Sequence, residues 1–557
     1  MRVIKAKRKK RVEARAAEVQ RWFRKSVTYE GEPYVMDLEQ VRAVVSDDVN
    51  AIVVARAGSG KTRTIVAKIV YLIARCGAQP EEIMAFVFNA NAAREINERL
   101  AEMTVDGVPV MGENDGGGES RAKKVGVAQT FHAFARHVVY DVCGGREKCG
   151  KILAGEKEEF VARIVAGMMR EPKWEARMRK FGVDEQSVEG FGKMMAQFIN
   201  RAQQKFLAGE DTLWKSIHRR YQEGEVGERE KLFIQLGAEC YRRYHWYLLD
   251  GEARMKLKEF EGYGTDFNLL VSWASKLIAT GGEGVRKLLG GKKYMLIDEY
   301  QDFSQLFLSV VMAIRRVVPE VRLFVVGDDW QAINRFAGSD VGYFKEFEKF
   351  FSPARRYEIT TNYRCNYIIV DMAGKFMKKA MGEKGKSRAF AKRAGKVVLV
   401  DTKRVKAEYL VRLVELIEKN RKAEEILILH RNNDTRLKIS LVGLGAALKR
   451  EVVKAKVMGR KEFDEKVRVM TMHKSKGLEA EVVIILEADE GVIPKVHPDA
   501  LLYGIFGETD EVVRADQMRL FYVAMTRAKK RLYIMHDFDG EAGFVKYLGR
   551  GVERWED

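Results

Sequence analysis

A glycine-rich turn between an apolar strand and a long helix constrains the fold of this chain more than any other feature. The apolar run AIVV occupies residues 51–54, the turn GSGKT occupies 58–62, and the helical pattern RTIVAKIVYLIARC follows at 63–76. Glycines in such a turn allow backbone N–H groups to approach a phosphate, and the helix N-terminus adds a favourable dipole. The sequence therefore predicts a parallel α/β sheet that carries a phosphate-binding loop.

The turn matches the pattern G-x-x-x-x-G-K-[ST] except at its first position, where Ala55 replaces glycine. Lys61 is expected to reach the β- and γ-phosphates of a nucleoside triphosphate, and Thr62 to ligate Mg²⁺. The other predicted nucleotide contacts of this segment are Ala57, Gly58, Ser59, Gly60 and Arg63. For the arginine, a plain surface position on the first helical turn is an equally good alternative.

An acidic pair follows the apolar strand pattern YMLI at residues 294–297. The pair is Asp298 and Glu299. Open α/β sheets bind ligands at the carboxyl ends of their strands. Asp298 is therefore expected to hold Mg²⁺, directly or through water, and Glu299 to polarise the attacking water. Beside a phosphate-binding loop, these roles are favoured over a surface pair.

The chain alternates between α/β and purely helical patterns. Strand patterns at 83–88, 294–298 and 323–328 extend the first α/β block. Residues 145–260 instead carry charged, Met and aromatic residues at helical spacing, which predicts an all-α insertion within that block. A second α/β block begins after about residue 350.

The composition indicates a polyanionic partner and a reducing compartment. Ninety-nine Lys and Arg residues against 79 Asp and Glu residues give a net charge of +20, which favours nucleic acid or an anionic membrane surface. The apolar runs are far shorter than the ~18 residues that a membrane-spanning helix needs. The five cysteines are scattered rather than arranged as a disulfide scaffold. We therefore expect a cytoplasmic protein without a membrane partner.

The first 30 residues are predicted to form a basic N-terminal arm. Residues 1–25 contain eleven Lys or Arg residues, two acids and no helix breaker. We expect a basic helix, either as a solvated arm or as an arm that contacts DNA.

Several motifs occur together in an order that resembles superfamily 1A helicases of the UvrD/Rep family. The strong matches are IDEYQD (297–302), VVGDDWQAINRFAGSD (325–340), TNYR (361–364), TMHKSKGLE (471–479) and LFYVAMTRAKKRL (520–532). The weaker matches are DLEQ (37–40), FNANAA (88–93), TFH (130–132) and TDFNLL (265–270). The form GDDWQ-x-I-x-RF-x-G most resembles the helicase IV branch of that family.

The resemblance implies an α/β fold class with two RecA-like P-loop NTPase domains and ATP in the cleft between them. The first RecA-like domain, 1A, would span 31–144 and 261–350, interrupted by the helical insertion 1B at 145–260. The second, 2A, would span 351–557 with a minimal insertion at about 433–466, where UvrD and Rep carry a large domain called 2B. ATP and Mg²⁺ are the implied cofactors.

The resemblance also implies roles in ATP binding and hydrolysis. Gln40 would read the adenine edge, and Tyr363 would stack on the adenine ring. Gln331 would sense the γ-phosphate and relay its presence to DNA. Two arginines of the second domain would act as arginine fingers when the cleft closes. The implied catalytic set is Lys61, Glu299, Gln331, Arg364 and Arg527.

Single-stranded DNA would lie across both RecA-like domains and stack on aromatic side chains. The candidate stacking residues are Phe88, Phe131, His132, Phe336 and His473. For the phenylalanines, the alternative is a role in the core. The candidate contacts to the sugar–phosphate backbone are Thr471, Lys474, Ser475 and Glu479. The glutamate has the alternative role of orienting a neighbouring residue.

Three positions depart from the family pattern. Asn334 replaces an aromatic residue, Ala337 stands in FAGS where RGA is commoner, and Asn91 replaces a lysine. These changes affect the expected grip on bases and the coupling of hydrolysis to stepping, rather than ATP hydrolysis itself.

The resemblance implies an ATP-dependent 3′–5′ DNA helicase or single-stranded DNA translocase. It would act as a monomer on single-stranded DNA and on 3′-tailed or forked duplexes, with RNA polymerase or single-strand-binding protein as possible partners. The first alternative is a translocase that removes proteins from DNA or acts on RNA polymerase without processive unwinding. The others are an RNA-directed helicase and a basic DNA-binding protein with a degenerate ATPase.

Overall fold

The computed structural model shows a mixed α/β fold with two parallel sheets of six strands each, which confirms the predicted fold class. The structure describes residues 2–111, 127–143, 151–206, 227–249, 263–382, 385–390, 395–401, 410–411, 414–415, 425–436, 438–495, 504–540, 543–548 and 552–555. Within these ranges, no helix combines the length and apolar character that crossing a membrane requires.

The first sheet places the strands of the sequence motifs side by side. Its strands, in spatial order, are Ala354–Ile359, Asn50–Ala55, Arg322–Gly327, Tyr294–Ile297, Ile83–Val87 and Ala128–Thr130. All neighbouring pairs are parallel, so the carboxyl ends meet at one edge. The glycine-rich turn and the acidic pair both begin at this edge, where open α/β sheets bind ligands.

Helices cover both faces of the first sheet and bury its apolar side chains. On one face lie Leu38–Val44, Lys61–Cys76 and Ala90–Glu102. On the other lie Phe131–Cys143, Phe267–Thr280, Glu283–Leu289, Gln305–Val317, Gly342–Lys345 and Phe347–Phe350. We call this sheet and its helices the first domain.

The first domain reaches further along the chain than the predicted boundary at residue 350. The strand Ala354–Ile359 pairs with Asn50–Ala55 over six residues, and Nδ2 of Asn50 donates to the carbonyl of Pro353. A strand beside the glycine-rich turn therefore comes from the segment that the sequence assigned to the second domain. Its charged pattern ARRYEI suits an edge strand, which hides it from a search for apolar runs.

The second domain is built on the second sheet. Its strands, in spatial order, are Val467–Thr471, Ile426–His430, Ala480–Ile485, Ala528–His536, Lys396–Asp401 and Glu553–Trp555. One face packs against the helices Tyr367–Met381 and Asp510–Met525. The other face packs against Leu441–Lys454 and Arg460–Lys466, the two helices of the short segment predicted at about 433–466.

The helical insertion has its own apolar core. Its main helices are Lys157–Met169, Pro172–Phe181, Val188–Phe206 and Glu228–Leu249. The strands Lys151–Leu153 and Tyr263–Asp266 pair where the insertion leaves and re-enters the first domain. Ile505 and Phe506 of the second domain are also buried in this core, so the insertion contacts both α/β domains.

The N-terminal segment is helical as predicted, but it is not a solvated arm from residue 12 onward. The helix Arg2–Ser26 buries Ala16, Val19 and Phe23 against the first domain. The chain continues into the strand Val27–Tyr29, which belongs to a small antiparallel sheet. The apolar spacing at 16, 19 and 23 explains the packing, because these residues lie on one face of a helix.

Candidate ATP site and nucleic-acid groove

The glycine-rich turn lies between the strand Asn50–Ala55 and the helix Lys61–Cys76. Gly58 and Gly60 have φ angles of +68° and +82°, which glycine adopts without strain. A Cβ atom on Gly58 would lie 2.7 Å from Cβ of Arg364. The turn is therefore packed directly against a segment that leads into the second domain.

Lys61 and Thr62 begin the helix and face the acidic pair on a nearby strand. Nζ of Lys61 lies 2.9 Å from Oε1 of Glu299, and Oγ1 of Thr62 donates to Oδ2 of Asp298 at 3.4 Å. Hydroxyl and carboxylate oxygens are ligands that Mg²⁺ prefers. The structure thus brings four separately predicted residues into one cluster that fits Mg²⁺ and a triphosphate.

The two acids of this cluster differ in their electrostatic surroundings. Burial and the nearby charge of Glu299 raise the pKa of Asp298. Burial alone would also raise the pKa of Glu299, but Lys61 and Lys476 outweigh it and lower that pKa. Glu299 is therefore held ionised, as a group that accepts a proton from water must be.

Lys476 is a site residue that the sequence analysis missed. Its Nζ pairs with the carboxylate of Asp302, lies 3.7 Å from Oε2 of Glu299, and donates to the carbonyl of Gln331 at 3.3 Å. Asp302 and Glu299 raise the pKa of Lys476 against the effect of burial. The signal was available, because Lys476 stands in KSKGLE between residues that were assigned to DNA.

Gln331 connects the two domains at the cleft. Its Nε2 donates to Oδ2 of Asp328 at 2.5 Å, and its Oε1 accepts from Nη2 of Arg527 at 3.4 Å. Arg527 is buried, and its guanidinium also donates to the carbonyls of Val523 and Leu478. Burial, together with Arg364, lowers the pKa of Arg527 to about 9. The arginine is thus held within the cleft beside the residue predicted to sense the γ-phosphate.

Arg364 is held by an acid that the sequence analysis assigned mainly to DNA. Nε of Arg364 donates to Oε2 of Glu479 at 2.6 Å, and Lys529 lies 2.8 Å from Oε1 of the same carboxylate. Glu479 is half-buried in the cleft. The structure therefore favours its alternative role, in which it orients a neighbouring residue, over a contact with a DNA sugar.

The predicted adenine-binding residues Gln40 and Tyr363 both contact the glycine-rich turn. Nε2 of Gln40 donates to the carbonyl of Ser59 at 2.9 Å, and the backbone N–H of Tyr363 donates to Gly58 at 2.8 Å. Arg63 stacks on Tyr34 with its guanidinium 4.3 Å from the ring centroid. Gln40 precedes the glycine-rich turn in the sequence and Tyr363 follows it, and both hydrogen-bond to the turn.

Phe390 is a second aromatic residue beside Tyr363, and the sequence analysis did not select it. Its ring centroid lies 4.8 Å from that of Tyr363, and its backbone N–H donates to Asn362. The strands Thr361–Asn362 and Arg388–Ala389 set this spacing, because they pair in parallel. Nothing in the sequence near Phe390 marks this position as a neighbour of Tyr363.

A groove crosses the first and second domains. Phe336 of the first domain is exposed, and its ring meets His473 of the second domain edge-on at 5.4 Å. A cavity of about 460 Å³ lies beside them, and a second of about 700 Å³ continues over the second domain. Arg431, His473 and Lys495 line both cavities. The groove therefore offers aromatic and cationic side chains to a flexible polyanion.

Arg431 and Lys495 are groove residues that the sequence analysis did not select. Nε of Arg431 is buried without a hydrogen-bond partner among the described residues. Burial lowers the pKa of Arg431. A guanidinium in this setting is suited to bind phosphate. Arg431 stands in the segment HRNN at 430–433, directly after an apolar strand pattern, but the sequence alone does not show which of these side chains faces the groove.

Two of the predicted DNA contacts are buried instead. Phe131 stacks between Phe86 and Phe307 at 4.5 and 4.6 Å and is 1% exposed, so it is part of the core. Ser475 is fully buried, and its hydroxyl donates to the carbonyl of Met472. A buried ring cannot stack on a base, and a turned-in hydroxyl cannot bind phosphate.

The remaining candidates differ in how far they reach the surface. Phe88 and His132 are half-buried and meet Phe307 edge-on at 5.5 and 5.8 Å. Thr471 is largely buried, whereas Lys474 is exposed beside it in the larger cavity. Phe336, His473 and Lys474 are therefore the predicted residues that face the groove most openly.

Comparison with known protein families identifies the family to which a chain with this geometry belongs. The UvrD/REP helicase N-terminal domain matches residues 36–352, and the UvrD-like helicase C-terminal domain matches residues 447–537. The chain belongs to the UvrD/REP helicase family. It is an ATP-hydrolysing enzyme of that family.

This UvrD/REP helicase has several named relatives. It is 27% identical to DNA helicase IV of Escherichia coli over 532 residues, which cover 91% of this chain and 69% of that protein. It is 23% identical to a probable DNA helicase of Mycoplasma pneumoniae, with 90% of this chain and 83% of that protein covered. It is also 23% identical to the ATP-dependent DNA helicase PcrA of Staphylococcus aureus, with 72% and 48% covered. The chain thus spans about half the length of PcrA.

Proposed function

We propose that this UvrD/REP helicase is an ATP-driven motor that moves 3′–5′ along single-stranded DNA and unwinds 3′-tailed or forked duplexes. One observation carries the proposal: the ATP-site residues come from both α/β domains, and the groove crosses the same two domains. Opening and closing of one cleft would therefore change the spacing between Phe336 and His473. The direction of movement comes from the resemblance.

In this proposal, the first domain binds the triphosphate and prepares the water. Lys61 leaves Glu299 for the β- and γ-phosphates, which carry more negative charge than one carboxylate. Thr62 and Asp298 would hold Mg²⁺, which neutralises charge on the phosphates when bound. Glu299, freed from Lys61, accepts a proton from the attacking water.

The second domain completes the site when the cleft closes. Arg364 and Arg527 then stabilise the charge that develops on the transferred phosphoryl group, an effect worth about 10³–10⁵ in rate for arginine fingers. Glu479 keeps Arg364 oriented, and Gln331 connects Arg527 to the first domain. Loss of phosphate removes the attraction between the domains, and the cleft reopens.

The groove converts this cycle into movement. Phe336 is attached to the first domain and His473 to the second, so each offers a stacking surface that moves with its own domain. Stacking holds any base, at about 1–3 kcal/mol per contact. Alternate tightening of the two contacts would advance the strand.

The first experiment measures ATP hydrolysis with and without single-stranded DNA, for the wild type and Lys61→Ala. We expect strong stimulation by DNA in the wild type and its loss in the variant. A strand-displacement assay on a 3′-tailed duplex, with a 5′-tailed duplex as the control, then tests unwinding and direction. Robust translocation without displacement would favour a motor that clears proteins from DNA, and stimulation by RNA alone would favour an RNA track.

A further inference from the structure

Arg56 occupies the second position of the phosphate-loop pattern at residues 55–62, just before the glycine-rich turn, and no role in nucleotide binding accounts for it. Its side chain is almost fully buried. Nη1 of Arg56 lies 2.7 Å from Oδ1 of Asp328 and 2.6 Å from Oδ1 of Asp329. The guanidinium is thus turned away from the phosphate side of the loop toward the segment GDDWQ.

The same guanidinium stacks on Trp330. Its central carbon lies 4.0 Å from the centroid of the indole ring, within the range of a cation–π contact. Trp330 is 1% exposed and meets Tyr522 of the second domain edge-on at 5.4 Å. The Arg56–Trp330 pair therefore lies where the two domains meet. The Trp330 side chain packs in the second domain's apolar core.

Gly385, which lies after the second-domain helix Tyr367–Met381, also approaches this pair closely. A Cβ atom on Gly385 would lie 2.4 Å from Cζ2 of Trp330 and 2.8 Å from Nη2 of Arg56. Such distances leave no room for a side chain. Because Trp330 packs against Tyr522 in the second domain's apolar core, movement of that domain relative to the first would change the contacts of the pair.

Asp328 connects Arg56 to the catalytic residues. Its Oδ1 accepts from Arg56, and its Oδ2 accepts from Nε2 of Gln331, whose Oε1 accepts from Arg527. The backbone N–H of Asp328 donates to Gln301, which in turn donates to Glu299. The carboxylate of Asp328 thus bonds directly to Arg56 and to the sensor glutamine, and the glutamine extends the connection to an arginine finger.

We propose that Arg56 is a positioning residue that couples closure of the second domain to the placement of Gln331 and Arg527. The inference rests on the proposed function, because it assigns Arg56 a part in DNA-stimulated hydrolysis. The flat contact with the Trp330 ring requires a planar guanidinium, which lysine lacks, whereas the contacts of Nη1 with the two carboxylates require only a positive charge. Arg56 acts through Asp328 and touches neither nucleotide nor DNA.

The test compares wild type with Arg56→Lys, which keeps the charge and removes the planar group. We expect the DNA-stimulated kcat to fall about fivefold or more, the lower end of typical couplings between sites. The KM for ATP should stay within about twofold, because Arg56 faces away from the phosphates. The matched control is Arg243→Lys in the helical insertion, where a half-buried guanidinium pairs with Glu171 and Glu239. The control should keep both parameters.

Trp330→Phe serves as a second variant if Arg56→Lys does not fold. It retains the ion pairs and reduces the stacking surface, so it should lower DNA-stimulated kcat in the same way but less. Full stimulation in a folded Arg56→Lys protein would overturn the inference. So would a rise in KM equal to the fall in kcat, since that pattern indicates nucleotide binding. If the wild type itself shows no stimulation by DNA, the proposed function fails instead.

Discussion

Lys61 and Glu299 illustrate how one ion pair can serve a catalytic cycle. In the structure, the lysine lowers the pKa of the glutamate and holds it ionised. When a triphosphate attracts the lysine, the carboxylate becomes available to water. The same contact therefore protects the base in one state and releases it in the next.

Glu299→Gln is expected to separate ATP binding from ATP hydrolysis. The amide cannot accept the proton, so DNA-stimulated kcat should fall by about 10²–10⁴. Nucleotide affinity should be kept or increased, because Lys61 no longer pairs with a carboxylate. Steady-state ATPase kinetics and binding of a fluorescent ATP analogue measure the two effects. A variant with near-normal turnover would show that another group activates the water.

Glu479→Gln tests the assignment of this acid to the ATP cleft. The variant weakens the hold on Arg364, so kcat for ATP should fall by about tenfold or more. Affinity for single-stranded DNA in the absence of ATP should not change. Lys474→Ala is the matched comparison and should show the reverse pattern, with weaker DNA binding and a shallower salt dependence. Weaker DNA binding by Glu479→Gln would indicate that Glu479 contacts DNA.

At the scale of elements, the short helical turn Arg335–Ala337 and the helix Phe131–Cys143 present phenylalanines in opposite ways. The turn extends from the carboxyl edge of the sheet and exposes Phe336, whereas the helix packs on a sheet face and buries Phe131. The difference follows from where each element attaches to the sheet.

Phe336→Ala and Phe131→Ala should therefore affect different properties, DNA affinity in the first case and stability in the second. The first should weaken binding of single-stranded DNA by about 1–3 kcal/mol, one stacking contact, and leave the free energy of unfolding unchanged. The second should lower the free energy of unfolding by about 3–5 kcal/mol, the usual range for a buried phenylalanine. Fluorescence titration with DNA and urea unfolding provide the measurements. Equal loss of DNA affinity in two folded variants would contradict the core assignment of Phe131.

The N-terminal helix combines a packed half with a basic beginning. Phe23→Ala should lower the free energy of unfolding by about 3–5 kcal/mol, because its ring is fully buried against the first domain. Removal of residues 2–11, the basic beginning of the helix, should reduce the salt slope of DNA binding, because it removes cationic side chains that can bind phosphates. Urea unfolding and a salt titration distinguish the two halves. An unchanged salt slope would exclude a DNA-binding role for the first eleven residues.

At the scale of the whole molecule, the helical insertion ties the two α/β domains together across the groove. Arg201 in the insertion and Glu508 in the second domain form a buried pair with contacts of 2.6 and 3.3 Å. Phe198 and Phe506 meet edge-on beside it at 5.1 Å. Both members of the ion pair also line the smaller cavity of the groove.

Glu508→Ala should destabilise the protein more than replacement of both charges. The single variant removes one partner of a buried ion pair, which costs about 3–5 kcal/mol, whereas Arg201→Met with Glu508→Leu should recover most of that loss. Differential scanning calorimetry of the two proteins gives the comparison. Equal stability of the two variants would mean that the contact is not desolvated in solution.

The linear motifs were sufficient to locate the ATP site, because each one combines a strand end with a local backbone geometry. The turn requires positive φ angles at Gly58 and Gly60 whichever distant segment packs against it. Asp298 directly follows a strand, so its position at the carboxyl edge of the sheet also depends only on local sequence. The edge strand Ala354–Ile359 could not be assigned in this way. Its pairing with Asn50–Ala55 joins segments about 300 residues apart and leaves no apolar pattern.

The sequence by itself determined the fold class, the phosphate-binding turn and the acidic pair, since these depend on spacing within short segments. Only the tertiary structure decided which neighbours each side chain meets. It placed Phe131 in the core, Glu479 beside Arg364, and Arg56 against Trp330. The physical reason is that burial and hydrogen bonding depend on groups that are distant in the chain, and no local pattern records which distant segment packs against a given residue.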